Sequence, residues 1–314
     1  MKIDSFVLAI LIAVGLAYVF PQPGLGLPLD TITTGGVALI FFFYGLKLSP
    51  QKIKAGLNNW KLHILVQLST FLLFPILVLL IKPLFIGADS QIIWLSLFFL
   101  AALPSTVSSS VVMVSMARGN IPAAIFNASI SGLIGILLTP LWMSLFLTAN
   151  TIDVSEVYNK LLLEILLPLV LGLLLHQKLG EFVQKKARYF SLFDRAVILL
   201  IIYKSFVSSF ANKVFSGLKT TDLILLALGV LALFFIVYLL ISLLSKFLKF
   251  NTEDRITALF CGTKKSLVHG TVFSKVLFAG SPIIGIVLLP LMLFHMFQIL
   301  VVSIIAKRYA LRED

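Results

Sequence analysis

Ten long apolar runs separated by short polar links dominate the pattern along this chain. They fall at about residues 5–21, 31–48, 61–86, 91–117, 120–147, 157–177, 189–210, 221–248, 253–278 and 281–306. Each is long enough to cross the hydrocarbon layer of a membrane as a helix. The links carry turn residues, as in Pro21-Gln22-Pro23-Gly24 and Gly87-Ala88-Asp89. No link is long enough to separate a soluble domain, so the pattern predicts a single all-α polytopic membrane unit over residues 1–314. The first run has the length of a signal peptide, but no small-residue cleavage site follows it and many further runs do. It reads as the first helix.

Two of the runs are interrupted. The fourth is broken by Pro104-Ser105-Thr106-Val107-Ser108-Ser109-Ser110 and the ninth by residues 262–266. The segments that follow the breaks repeat each other: residues 133–142 align with residues 283–292 at an offset of 150, with six of ten positions identical. Five runs separate the copies, which gives them opposite orientations. The expectation is two inverted five-helix repeats, residues 1–150 and 151–314, with the discontinuous helices 4 and 9 crossing. Paired broken helices in inverted repeats are the signature of secondary transporters.

Composition agrees: 60% of residues are hydrophobic and 12% charged, about half the charge of a soluble domain. A net charge of +12 raises the question of nucleic acid, and the placement of the charges answers it. Of 25 lysines and arginines, Lys82, Lys160, Lys204, Lys213, Lys219 and Lys275 fall on one side and Lys264 and Lys265 within a span, which leaves 17 on the other side. That asymmetry predicts an inner (plasma) membrane protein with both termini cytoplasmic and lipid, not nucleic acid, as its surroundings. The single cysteine, Cys261, excludes an intramolecular disulfide. The sequence shows no nucleotide loop, metal-ligand cluster, cofactor motif or hydrolase motif, so neither ATP-driven pumping nor an enzyme is expected.

The candidate chemistry sits in the breaks. Phe260-Cys261-Gly262-Thr263-Lys264-Lys265-Ser266-Leu267-Val268-His269-Gly270 places two ammonium groups near the middle of a span. On insertion scales each costs roughly 2.5–3.5 kcal/mol, so such groups face an interior cavity. The hydroxyls of Ser105, Thr106 and Ser108 to Ser110 are more than helix packing needs, and some are expected to bind a ligand. Asn127 and Ser131 lie four apart on one face of the fifth helix, suited either to reaching the break or to an interhelical hydrogen bond. Ser266 and His269 open the second half of the ninth helix, where free N–H groups and the helix dipole favour an anion. His63, His176 and His295 lack ligand spacing and read as structural, and Glu164 reads as the i, i+4 partner of Lys160. No carboxylate falls in either break.

The run Leu103-Pro104-Ser105-Thr106 through Arg118-Gly119-Asn120 to Leu138-Thr139-Pro140, with Cys261-Gly262-Thr263-Lys264-Lys265-Ser266, resembles the bile acid:sodium symporter superfamily. More closely it resembles the SBF-like branch, whose fungal and animal members are associated with calcium homeostasis. The resemblance covers the whole chain and implies a core domain (helices 3–5 and 8–10) moving against a panel domain (helices 1–2 and 6–7). It also exposes a departure. Where sodium-coupled members carry a Ser-Asn pair, this chain has Ser109-Ser110, and two helix 5 hydroxyl ligands fall on Ala124 and Ala128. The Glu-x-Gly-x-Gln-Asn signature falls on residues 260–265, so the shared glutamate is Phe260 and the glutamine Lys264.

Taken with the resemblance, the residues are expected to divide in two. Lys264, with Ser109, Ser110 and Thr263, stands in for the sodium ion. Lys265, with Ser105, Thr106, Ser266, Asn127 and His269, meets a small organic anion. The cycle is then proton-linked if Lys264 releases its proton, and uncoupled if the charge stays fixed. Sodium-coupled symport of bile acids or other organic anions, and a non-transporting regulator such as one of calcium influx, are the rival expectations.

Overall fold

The structure is a computed structural model that describes residues 5–20, 29–48, 56, 59–147, 154–217 and 219–312. Lys2, Lys52 and Lys54 and the Pro21 to Gly24 turn lie outside the described residues. Among the described residues every regular element is helical. In chain order these are α1 (Ser5–Val19), α2 (Leu29–Lys47), α3 (Trp60–Leu68), α4 (Phe74–Leu80), α5 (Ala88–Ala102), α6 (Ser108–Met116), α7 (Ile121–Ser144) and α8 (Val154–Leu161). They continue with α9 (Leu167–Leu174), α10 (His176–Lys185), α11 (Ala187–Ala211), α12 (Thr220–Phe247), α13 (Thr252–Gly262), α14 (Leu267–Leu277) and α15 (Ile284–Ala310).

Five described helices are long and apolar enough to cross a membrane: Leu29–Lys47, Trp60–Leu84, Ile121–Ser144, Thr220–Phe247 and Ile284–Ala310. A sixth span forms if Tyr158–Leu174 and His176–Lys185, bent by 96°, count as one. Ser5–Val19 and Ser90–Ala102 are shorter apolar helices. The chain is a multi-pass membrane protein.

Both expected interruptions are present, and both are shorter than the sequence suggested. The first spans residues 103–107, because Ser108 to Ser110 already form the first turn of α6. The second spans residues 263–266, between α13 and α14. Prolines shape the other spans. Phe74 donates its N–H to the carbonyl of Ser69, five residues back, so a π-turn (Ser69–Leu73) joins α3 to α4 just before Pro75. The same device, Leu162–Leu166 ahead of Pro168, joins α8 to α9.

The chain divides into two compact units. One comprises Met1–Ser49, Leu147–Leu218 and Thr271–Leu288. Within it α2 and α9 run against each other at a glycine pair: a Cβ on Gly45 would fall on the carbonyl of Leu169, and one on Gly172 on that of Phe42. Small residues of this kind let membrane helices approach to backbone contact. Thr271–Leu288 belongs to this unit because Lys275 Nζ donates to Thr34 Oγ1 at 2.5 Å, and Ser209 Oγ donates to the Pro282 carbonyl at 2.5 Å while accepting from Gly285 N at 3.0 Å. The boundary therefore passes through α14 and α15, whereas the panel and core expected from the resemblance kept those helices whole.

The other unit comprises Pro50–Phe146, Lys219–Gly270 and Leu289–Asp314. Trp94, Phe98, Trp142 and Phe146 form an aromatic cluster in it, with Phe98 and Phe146 ring centroids 4.7 Å apart. At one end, Asp254 accepts from Asn59 Nδ2 at 2.5 Å and Asn120 Nδ2 at 2.8 Å. This fixes the start of α13 beside the start of α7, and both helix breaks lie within this unit.

Candidate functional site: two helix breaks and a pair of buried lysines

The breaks are best understood through the carbonyls they strand. A helix that stops leaves its last carbonyl oxygens without N–H partners, and in an apolar interior each must find another donor. Pro104 ends α5, since it has no N–H to give the carbonyl of Leu100, which accepts instead from Leu103 N at 3.3 Å. The next oxygens are all taken by other elements. Ala101 O accepts from Lys265 Nζ at 2.6 Å and Leu103 O from the same ammonium at 2.8 Å. Ala102 O accepts from Thr139 Oγ1 at 2.7 Å, and Pro104 O from Ser266 N at 2.9 Å. The second break is held in return, because Ser105 Oγ donates to the Cys261 carbonyl at 2.6 Å. Each break thus supplies donors to the other.

Lys265 has a third acceptor, the Thr70 carbonyl at 2.7 Å. The π-turn register would pair that oxygen with the N–H of residue 75, and residue 75 is proline. An ammonium has three donors, and here all three meet backbone carbonyls. The charge also lies over the Phe74 ring, 4.2 Å from its centroid. The side chain is 0% exposed. Its backbone is clamped as well: Lys265 N donates to Gln298 Oε1 and Gln298 Nε2 donates to Lys265 O, both at 2.9 Å.

Lys264 is likewise 0% exposed and reaches the first turn of α6. Its ammonium donates to the Ser109 carbonyl at 2.8 Å, with Ser109 Oγ at 3.4 Å. Beside it, Thr106 Oγ1 lies 2.7 Å from Ser109 Oγ and 2.8 Å from Ser110 Oγ, a chain of three hydroxyls. Thr263 Oγ1 bonds back to the Leu259 carbonyl at 2.7 Å and closes α13.

The remaining expected residues are placed as follows. Ser266 caps α14, accepting from His269 N at 3.2 Å and meeting His269 Nδ1 at 2.9 Å. Asn127 faces α3, where it meets His63 Nδ1 at 2.9 Å and accepts from Gln67 Nε2 at 3.2 Å. Ser131, one turn on, is the side chain that reaches the break, accepting from Ser105 N at 2.9 Å. Gly135, a further turn along, lets the Pro104 ring lie where a Cβ would come within 2.7 Å of it.

Sequence reasoning missed Thr70, Pro75, Thr139 and Gln298. Gln298 carried a usable signal, since an uncharged amide deep in an apolar span is expensive unless paired. The Thr70 carbonyl carried none, because its availability depends on a π-turn register.

Comparison with known proteins identifies the family. The SBF-like CPA transporter family matches residues 4–311. An uncharacterized protein of Pseudomonas aeruginosa is 38% identical over 314 residues, covering 99% of this chain and 94% of its own. The putative symporter YfeH of Escherichia coli is 37% identical over 312 residues (98% and 93%). Sodium/bile acid cotransporter 7 of Rattus norvegicus is 30% identical over 316 residues (96% and 91%). A match of this extent, on a multi-pass chain whose interior is built from two facing helix breaks, makes the protein a member of the SBF-like CPA transporter family, a family of transporters and not of enzymes.

Proposed function

We propose that this chain is a secondary transporter that moves a small organic anion across the inner membrane by alternating access, with lysine in place of a sodium ion. One observation carries the reading: two wholly buried ammonium groups sit at paired helix breaks, Lys265 on three stranded carbonyls and Lys264 on the Ser109 carbonyl in the first turn of α6. Carbonyl helix ends create a negative potential that calls for a cation. A tethered ammonium meets that need while it holds its proton, so no metal ion has to enter with the substrate. Lys264 occupies the signature glutamine position and meets Ser109, which supports its role as the ion's replacement. Lys265, expected from the sequence to meet the anion, has its three donors on carbonyls, and in this proposal it shares the ion's role instead. The hydroxyl chain of Thr106, Ser109 and Ser110 is the proposed anion-facing surface, with Ser105 and Ser266 tying the two breaks together beside it, whereas Asn127 turns to His63 and His269 to Ser266.

Two inverted five-helix repeats form part of the proposal. Its support is the pairing of the breaks and of the interior prolines Pro140 in α7 and Pro290 in α15, at the 150-residue offset. Membership of the two compact units supports a panel and a core, with Thr271–Leu288 joining the panel. Cytoplasmic termini rest on the lysine and arginine asymmetry.

The similarity to a protein named sodium/bile acid cotransporter favours a second reading, sodium-coupled uptake. Reconstitution separates the two. Proteoliposomes holding the pure protein are offered labelled organic acids, including a bile acid, with sodium or choline as the external cation. Uptake equal in both supports the proposal, and a pH gradient then tells a proton-linked cycle from an uncoupled one. Uptake that requires sodium overturns it in favour of the second reading. Folded protein without flux of any acid points to a non-transporting regulator.

A further inference from the structure

A polar cavity lies wholly within the unit that contains neither break. Its volume is about 410 Å³, in the range of sites for small molecules. Three lysines line it, Lys160 from α8, Lys204 from α11 and Lys275 from α14, together with the carboxylates of Asp30 and Glu164. The lining shares no residue with the two breaks.

The charges are unevenly matched. Lys204 pairs with Asp30 at the rim, where the carboxylate side chain is 81% exposed. Lys275 is half-buried, and the partner its ammonium donates to is a neutral hydroxyl, Thr34 Oγ1 at 2.5 Å. Thr34 accepts in that bond, so its own O–H is left to donate. Among the described lining residues three ammonium groups face two carboxylates, and Glu164 lies within electrostatic reach of Lys275. A half-buried ammonium bonded to a neutral oxygen favours an anion more than a surface lysine in water does. Ile284, the first residue of the 27-residue helix α15, also lines the cavity and brings the positive end of that helix to it. The turn before it, with Gly280 at φ 73°, folds Ala279 to Ser281 against the same space.

We infer that this cavity is an anion site in its own right, built for a small organic monocarboxylate. Its carboxylate would accept from Lys275 Nζ and Thr34 Oγ1, two donors that lie side by side. Lys160 and Lys204 would add attraction from the walls.

The test is calorimetry on the purified full chain in detergent at low ionic strength, with benzoate as the probe and benzamide as its uncharged counterpart. Benzoate should bind at least about tenfold tighter than benzamide. Lys275→Gln should weaken benzoate about tenfold or more, the loss expected for one charge-assisted hydrogen bond, and Lys275→Arg should restore much of it. Lys204→Gln at the rim should weaken it by a smaller factor, and supplies the reading if Lys275→Gln fails to fold. Equal binding of benzoate and benzamide, or benzoate binding that ignores both substitutions, overturns the assignment. Calorimetry reads binding without flux, so the outcome is separate from whether the breaks transport anything.

Discussion

The Thr70 carbonyl, 2.7 Å from Lys265 Nζ, is an acceptor that Pro75 strands. A π-turn in one helix and a lysine almost two hundred residues later are therefore two halves of one contact. This relationship makes Lys265 a fixed cation at the point where carbonyls of α5 and of the Ser69–Leu73 turn converge.

Replacing Lys265 by Met should leave three buried carbonyls without donors. Each orphaned buried acceptor costs about 1–3 kcal/mol, so the total should exceed roughly 3 kcal/mol. Pro75→Ala returns an N–H to the Thr70 carbonyl. In the double variant part of the Lys265→Met loss should disappear, a coupling of about 0.5–3 kcal/mol between residues far apart in sequence. Chemical unfolding of the four proteins in a mild detergent measures it, and strict additivity would sink the shared-acceptor argument.

Lys264 differs, because its ammonium meets one carbonyl and one hydroxyl of α6. Lys264→Gln should keep hydrogen-bonding capacity while removing the charge. Stability should fall by less than in Lys265→Met, and organic-acid uptake by at least about tenfold, or about 1.4 kcal/mol. Restoration of uptake in this variant by added sodium would show that the ammonium had occupied an ion site. Uptake at the wild-type rate would remove Lys264 from the cycle.

Gln298 holds both backbone groups of Lys265. Gln298→Leu removes a donor and an acceptor together and leaves a buried N–H and C=O unpaired, at a cost of roughly 1–3 kcal/mol for each group. Gln298→Glu retains the acceptor for Lys265 N but loses the donor to Lys265 O, and should recover about half of the loss in thermal unfolding. If Leu and Glu melt alike, the clamp is not what holds the second break.

Gly172→Ala places a methyl group on the Phe42 carbonyl at the α2–α9 crossing. A backbone oxygen cannot swing aside as a side chain can, so the helices must part, at a cost of about 1–3 kcal/mol or more. Gly229→Ala, where a Cβ meets nothing within 4 Å, is the matched control and should be neutral or slightly stabilising. Thermal unfolding of both reads the difference.

Helices, breaks and the place of Lys264 and Lys265 at the second break were legible in the residues alone. Apolar runs of spanning length are a local property, and so is the cost of an ammonium within one. Pro104 with its hydroxyl-rich neighbours, and glycines around two lysines, announce interrupted helices because proline and glycine act on their own backbone. What each lysine touches is not local. Lys264 and Lys265 are adjacent in sequence, yet one meets α6 and the other three carbonyls from two segments. That division depends on which oxygens are left unpaired after every helix has chosen its hydrogen-bond register. The π-turn before Pro75, the facing of Asn127 toward His63 instead of the break, and the gathering of Lys160, Lys204 and Lys275 around one cavity have the same origin. Hydrophobic pattern determines which segments enter the membrane; only the packed tertiary structure decides which stranded donors and acceptors find each other there.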